Sequence, residues 1–310
     1  MKIVVLDGYT LNPGDLSWEG LKELGDVVVY DRTPESQVIE RASGAEIVLT
    51  NKSIVFKKQI DNLPALKYIG VMATGMNVVD LVAAKERNIV VTNVAGYSTD
   101  SVAQHVMALL LGLINKVAYY DQTVKNGDWT RSKDFSYWDG AITELAGKKM
   151  GIIGFGAIGK RTAELARAFG MEIISFHKHP ERDKQDWVEF LPLEEVFASA
   201  DVVSLHCPLN ESNKGFVNRE LLKIMKSNAI VINTARGPLI NHDDLSDALE
   251  RGVIAGAGLD VFDVEPPPEV HPVFRSQRCI VTPHQAWATF EARKRLMDGV
   301  IQNVKNFLGN

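Results

Sequence analysis

Only two cysteines, Cys207 and Cys279, occur among the 310 residues. That excludes a disulfide scaffold and a four-thiolate zinc site, and it makes a reduced, cytoplasmic setting the expected one. No metal site is expected. Long apolar runs are also lacking: the longest, residues 106–114, falls well short of the roughly 20 residues that span a bilayer. Basic residues are in slight deficit, with 34 Lys and Arg against 39 Asp and Glu and a net charge of −5. A general nucleic-acid or membrane-surface binder needs concentrated positive charge, so neither partner is expected. The first apolar run, residues 3–6, is cut short by Asp7 and reads as a buried strand, not a signal peptide. Internal repeats, low-complexity tracts and a Pro- or Gly-rich linker are absent as well.

What is present is an ordinary globular composition, 45% hydrophobic and 24% charged, which excludes disorder and coiled coil. At roughly 150 residues per domain the length suggests two domains. Short β-branched runs alternate with helical patterns, the signature of parallel sheets with crossover helices. In the first third the runs fall at residues 3–6, 27–30, 47–49, 68–71 and 89–92, with an amphipathic segment at 79–87. A long helix is expected over 99–114, and an irregular polar and aromatic stretch follows at 130–138. Six further runs, near Gly151, Ile173, Val202, Ile230, Gly256 and Ile280, fit one doubly wound domain. A last helix over 291–307 carries an apolar stripe of Leu296, Val300, Ile301, Val304 and Leu308.

The most informative local signal is Gly154-Phe155-Gly156-Ala157-Ile158-Gly159, between a strand and the helical stretch 160–169. The first glycine permits a tight turn, the second lets backbone approach a pyrophosphate, and the third lets helix and strand pack closely. The helix N-terminus then offers unpaired N–H groups to the phosphates. A tight turn with no ligand is the competing reading. An NAD site commonly carries an acid at the tip of the next strand, whereas here the chain reads Phe176-His177-Lys178-His179-Pro180-Glu181-Arg182. His177, Lys178 and His179 suit a 2′-phosphate, which favours NADP over NAD. A solvated basic loop that does not discriminate, with Glu181 and Asp183 nearby, is the alternative.

Three more segments place polar residues at apolar strand ends: Asn233-Thr234-Ala235-Arg236-Gly237, Asp260-Val261-Phe262-Asp263-Val264-Glu265-Pro266 and Thr282-Pro283-His284-Gln285-Ala286-Trp287. Ligands of open α/β sheets bind outside the carboxyl ends of the strands, where these groups fall. Taken singly, Arg236, Glu265 and His284 each have a bland reading as a surface pair, a turn residue and a loop histidine.

Together with the glycine fingerprint, the segments make the chain resemble the D-2-hydroxyacid dehydrogenase family, most closely its glycerate dehydrogenase and hydroxypyruvate or glyoxylate reductase members. The motifs run from Val71 to Trp287. The resemblance implies a Rossmann-type dinucleotide domain, residues 100–288, inserted in a flavodoxin-like substrate domain made of residues 1–99 and 289–310. It implies that Arg236, Glu265 and His284 are catalytic. Arg236 suits a carboxylate and a carbonyl, His284 can hand over a proton, and Glu265 favours the protonated ring.

Further positions follow from the same likeness. Cys207, Pro208, Thr234, Ala235, Asp260 and Ala286 join the fingerprint residues around the cofactor, while Lys52 and the turn Ala73-Thr74-Gly75 bind substrate. The segment Phe135-Ser136-Tyr137-Trp138-Asp139 resembles one that reaches a neighbouring subunit's site, which makes Trp138 a substrate contact in a homodimer. A local hydrophobic plug is the other reading of that segment. Gly96, Tyr97 and residues 283–287 are the expected hinges. The expected activity is hydroxypyruvate or glyoxylate reduction. The alternatives are a D-lactate-type enzyme, a short phosphoglycerate dehydrogenase, or a dinucleotide-sensing, corepressor-like binding protein.

Overall fold

A computed structural model describes residues 1–309 as two compact α/β units. One contains Met1–Ser98 and the stretch from Trp287 onward; the other is Thr99–Ala286.

The first unit is a five-stranded parallel sheet of β1 (Lys2–Val5), β2 (Asp26–Val29), β3 (Ile47–Thr50), β4 (Tyr68–Val71) and β5 (Val90–Asn93), in the order 2-1-3-4-5. Central strands covered on both faces should be apolar throughout, and β3 and β4 are buried at every position. The amphipathic segment forms a shorter helix than expected, Leu81–Glu86, begun by the Asp80 carboxylate accepting the Val82 and Ala83 amides. The terminal helix Phe290–Leu308 buries Leu296, Val300 and Val304 in the same core as Ile3, Val5 and Tyr68. Arg293, 8% exposed, fixes it by a two-pronged pair with Asp15 at 2.6 and 2.7 Å. This planar geometry is one that Lys would not reproduce.

The second unit is a seven-stranded parallel sheet: β6 (Lys149–Ile153), β7 (Glu172–Phe176), β8 (Val188–Phe190), β9 (Val202–Leu205), β10 (Ile230–Asn233), β11 (Gly256–Leu259) and β12 (Cys279–Val281). Its order is 12-11-10-9-6-7-8. The six expected runs are present; β8 is an addition. It has three residues, none fully buried, and pairs only with β7, so its sequence carries too little apolar signal to be read as a strand. The helix Thr99–Asn115 packs Val106, Leu109 and Leu110 on one face of this sheet, while Phe197, Leu222 and Leu245 cover the other. Strand order reverses between β6 and β9, and such switch points are where open α/β sheets bind ligands. No single helix among the described residues is long and apolar enough to cross a membrane.

Candidate active site

All seven strands of the larger sheet are parallel, so their carboxyl ends share one edge, and six of them carry the residues singled out above. After β6, Gly154 adopts φ +99°, and a side chain there would strike the His206–Cys207 backbone at 2.8–3.0 Å. A Cβ on Gly159 would lie 2.1 Å from the Gly154 oxygen, which makes that glycine the contact between helix and loop. Around Gly156 the space is open. The helix Ala157–Ala168 begins there with no side-chain cap, so the first-turn N–H groups at Ala157 and Ile158 remain available to an anion.

Phe155 plays a different part from its neighbours. Its amide donates to His177 Nδ1 at 3.1 Å and its ring is 2% exposed, so it supports the loop without presenting a group to a ligand. The other nitrogen of His177, Nε2, meets Asp183 Oδ2 at 2.6 Å. Because Nδ1 accepts, Nε2 carries the proton and donates. Asp183 also takes two nitrogens of Arg182, at 2.5 and 3.0 Å, and these bonds together with that of His177 hold its carboxyl down to about 2. The basic strand tip therefore contains an ionised acid that sequence reading left as a bystander. Lys178 and His179 are exposed.

After β9, burial pushes the Cys207 thiol up to about 11, so it is a small neutral wall and not a nucleophile. Beside it burial also drives His206 down to about 3, leaving a neutral ring bonded to Ser204. After β10, Thr234 is buried with its Oγ1 unpaired among the described residues. An orphaned hydroxyl, open space at Gly156 and unspent helix N–H groups fit a dinucleotide laid across this edge.

Three adjacent strands, β10, β11 and β12, bring the proposed chemistry together. Asn233 builds the first turn by donating to the Arg236 carbonyl at 2.9 Å and accepting the Ala235 amide at 3.0 Å. Arg236 then projects as an exposed side chain. Glu265 Oε1 accepts the Phe262 amide at 3.0 Å, and its Oε2 meets His284 Nδ1 at 2.6 Å. The Glu265–Pro266 peptide is cis. His284 sits at φ +50°, in the left-handed region that non-glycine residues rarely enter.

The His284 loop is held by Asp260, 1% exposed, which accepts the Thr282 hydroxyl at 2.6 Å and the Gln285 and Ala286 amides at 2.9 Å each. Thr282 spends its proton on Asp260, so its oxygen accepts from His105 Nε2 at 2.9 Å. Ser101 completes the brace by donating to the Ala286 carbonyl at 2.5 Å. Sequence reading placed Asp260 and Ala286 beside the cofactor. Most of the Asp260 acceptor capacity goes to the loop, with one further donor possible at Oδ2.

In the smaller unit the candidate substrate loops are also braced from below. Asp7, at the carboxyl end of β1, accepts the amides of Asn51, Lys52 and Ser53 at 2.7, 2.5 and 2.7 Å. Asn51 ties this loop to the next by donating to the Met72 carbonyl at 2.5 Å. Ala73 and Thr74 are pinned to the end of β5 through the Val94 amide and the Asn93 side chain. Asp7 was legible only as an acid ending an apolar run. The same position at the carboxyl end of a strand is the signal that could have marked it as a loop holder.

A family model described as D-isomer specific 2-hydroxyacid dehydrogenase, NAD binding domain, matches residues 107–286. The chain belongs to the D-2-hydroxyacid dehydrogenase family. It is 45% identical to a hydroxypyruvate reductase of Blautia hydrogenotrophica, over 99% of this chain and 97% of the relative. A glycerate dehydrogenase of Methylorubrum extorquens is 41% identical over 89% and 86% of the two chains. Among solved structures, an acyclic imino acid reductase in complex with NADPH and D-Arg superposes with a TM-score of 0.87 at 31% identity, covering 100% of this chain and 97% of the other. The protein is therefore an NAD(P)-dependent oxidoreductase acting on a small molecule.

Proposed function

We propose that the protein reduces hydroxypyruvate, and glyoxylate less well, to the corresponding 2-hydroxy acid, and so also works as a D-glycerate dehydrogenase. The observation that carries this reading is the Glu265–His284 pair at 2.6 Å on a strand edge that also bears Arg236. The 45% identity to a hydroxypyruvate reductase supports the choice of substrate. A bound reduced dinucleotide supplies a hydride to the carbonyl carbon. Arg236 offers a permanent cation and a planar fork for the carboxylate and the carbonyl oxygen. With Nδ1 held by Glu265, His284 presents Nε2, and its proton goes to the oxygen as the carbonyl carbon is reduced. The Phe262 amide donates to Glu265 Oε1 and so fixes the carboxylate that orients the His284 ring. In the reverse direction the same nitrogen takes the proton back. Lys52 and residues 73–75 are assigned to the substrate carboxylate.

We further propose NADPH as the preferred cofactor, held through Lys178 and His179 at its 2′-phosphate. Arg182 and His177 join only if they leave Asp183, so Asp183 competes with the phosphate for them. Hydroxypyruvate, glyoxylate, pyruvate and 2-oxo-4-methylpentanoate, each with NADH and NADPH, test both assignments by loss of nicotinamide absorbance. Hydroxypyruvate with NADPH is expected to give the highest kcat/KM. Higher efficiency with pyruvate reassigns the substrate, and higher efficiency with NADH overturns the cofactor choice. Binding without any turnover would mean a dinucleotide sensor. Asp183→Asn is expected to tighten NADPH about 3- to 10-fold relative to NADH in fluorescence titrations without substrate, the size of one charge-assisted bond released.

We also assign the 135–139 segment to a homodimer arm in a cytoplasmic enzyme. Its polar atoms are tied down: the Asp139 amide donates to the Tyr120 hydroxyl at 2.8 Å, and Tyr137 pairs with Thr123 at 2.6 Å. Phe135 and Trp138 are not, being 93% and 68% exposed, which favours an arm over a local plug. Two unpaired, half-buried thiols suit a reducing compartment. Trp138→Ala should weaken the dimer by light scattering and raise KM for hydroxypyruvate. An unchanged mass and KM would remove the arm.

A further inference from the structure

Behind the catalytic edge, His242, Asp263 and His271 converge on a cavity of about 450 Å³ whose wall includes Lys214 and Pro238. The two imidazoles are 7% and 4% exposed, whereas Asp263 is about half exposed and faces the opening. Asp263 Oδ1 lies 3.4 Å from His242 Nδ1 and 3.3 Å from His271 Nε2, and the three atoms fall within 4.8 Å of one another. Neither ring has a second partner: His242 Nε2 and His271 Nδ1 are buried and unbonded among the described residues. The reaction proposed above uses none of these three side chains.

Two buried histidines sharing one carboxylate oxygen are an expensive arrangement for packing alone, because each ring leaves a polar nitrogen dry. The spacing has a second meaning. Ligand atoms about 2.0–2.1 Å from a tetrahedral zinc ion stand roughly 3.3–3.4 Å apart, which is the separation at both carboxylate edges here. Two imidazoles and one carboxylate select a first-row transition metal over magnesium or calcium, which prefer oxygen alone. We propose that His242, Asp263 and His271 form a zinc-class metal site, with water from the cavity completing the coordination.

The surroundings also set its strength. A histidine ligand normally donates its other N–H to an acceptor, and losing such partners costs about 10- to 100-fold in affinity. Both are missing here, and Lys214 opposes a cation, so binding is expected in the micromolar range and not at the level of a structural zinc finger. Occupancy would bear on the active site through the chain itself, since Asp263 follows Phe262, whose amide holds Glu265.

The test uses the full chain, treated with chelator and titrated with Zn2+ by calorimetry and with Co2+ by visible absorption. One ion per chain is expected. The absorption bands should be those of four- or five-coordinate cobalt, and Tm should rise by about 5 °C or more at one hundred times Kd. Asp263→Asn, an isosteric change at a half-exposed position, and His242→Gln should each weaken binding at least 10-fold. Absence of saturable binding up to about 100 times the protein concentration, about 0.1 mM for a sample of about 1 μM, overturns the site. Unchanged affinity in both variants overturns it equally, because the ion would then sit elsewhere, for example on His284.

Discussion

Replacing His284 by Ala should lower kcat/KM for hydroxypyruvate by about 10²- to 10⁴-fold, or about 3–5 kcal/mol of transition-state stabilisation, while dinucleotide affinity stays within twofold. The size follows from removing the group proposed to give the proton: Nδ1 is held by Glu265 at 2.6 Å, which leaves Nε2 to act. Affinity should survive because the fingerprint at Gly154, Gly156 and Gly159 lies at the end of a different strand, β6. The backbone adds a second signature. At φ +50° a non-glycine residue carries about 1–2 kcal/mol of local strain, which Asn tolerates better than most. His284→Asn should therefore be as dead as the alanine variant yet melt no lower than the parent. Strain kept at a residue for its chemistry predicts that separation of stability from activity. Full activity in either variant would remove His284 from its role, and a collapse of dinucleotide binding would assign it to holding the loop instead.

The contrast with what surrounds His284 shows where sequence reading reaches and where it stops. The central strands of both sheets were legible because such strands are buried on both faces and largely apolar, as in Tyr68–Val71 and Val202–Leu205. The fingerprint was legible because each glycine answers a local steric demand within a few residues. The three strand-end motifs were legible because polar residues break apolar runs there. The supports behind them were not. Thr282 and His105 are 177 positions apart, and Asp7 caps a loop 44 to 46 residues away, distances over which periodicity carries no information. The Asp183 clamp was hidden for another reason: an acid six residues past His177 looks solvated until the chain folds back and closes the bond. β8 escaped because three residues, two half-buried and one exposed, do not alternate long enough to be read.

The second large effect is expected at a residue that touches no ligand. Gly237 follows Arg236, and a Cβ built on it would lie 1.9 Å from the Phe262 carbonyl carbon, 2.0 Å from its oxygen and 2.5 Å from the Asp263 nitrogen. All three are backbone atoms, so no side chain can rotate away, and the 262–263 peptide itself must move. That peptide belongs to the turn in which the Phe262 amide fixes Glu265, while Gly237 continues the turn that Asn233 builds for Arg236. One close contact therefore sets the spacing between Arg236, proposed to bind the carboxylate, and Glu265, which holds His284 Nδ1. Gly237→Ala should cost about 2–3 kcal/mol, the upper range for overpacking, and lower Tm by roughly 5–10 °C in a unit of this size. Activity should fall further than the folded fraction explains, because displacing the turn misaligns two groups at once, and an error of about 1 Å can cost 10²-fold. The measurement is kcat/KM at 20 °C, where the variant is still folded by circular dichroism, set beside its melting curve. A loss of at least 30-fold at full folding, with KM for hydroxypyruvate raised through Arg236, supports the coupling. Wild-type kinetics in a variant that merely melts earlier would mean that the two turns are positioned independently and that the contact serves packing alone.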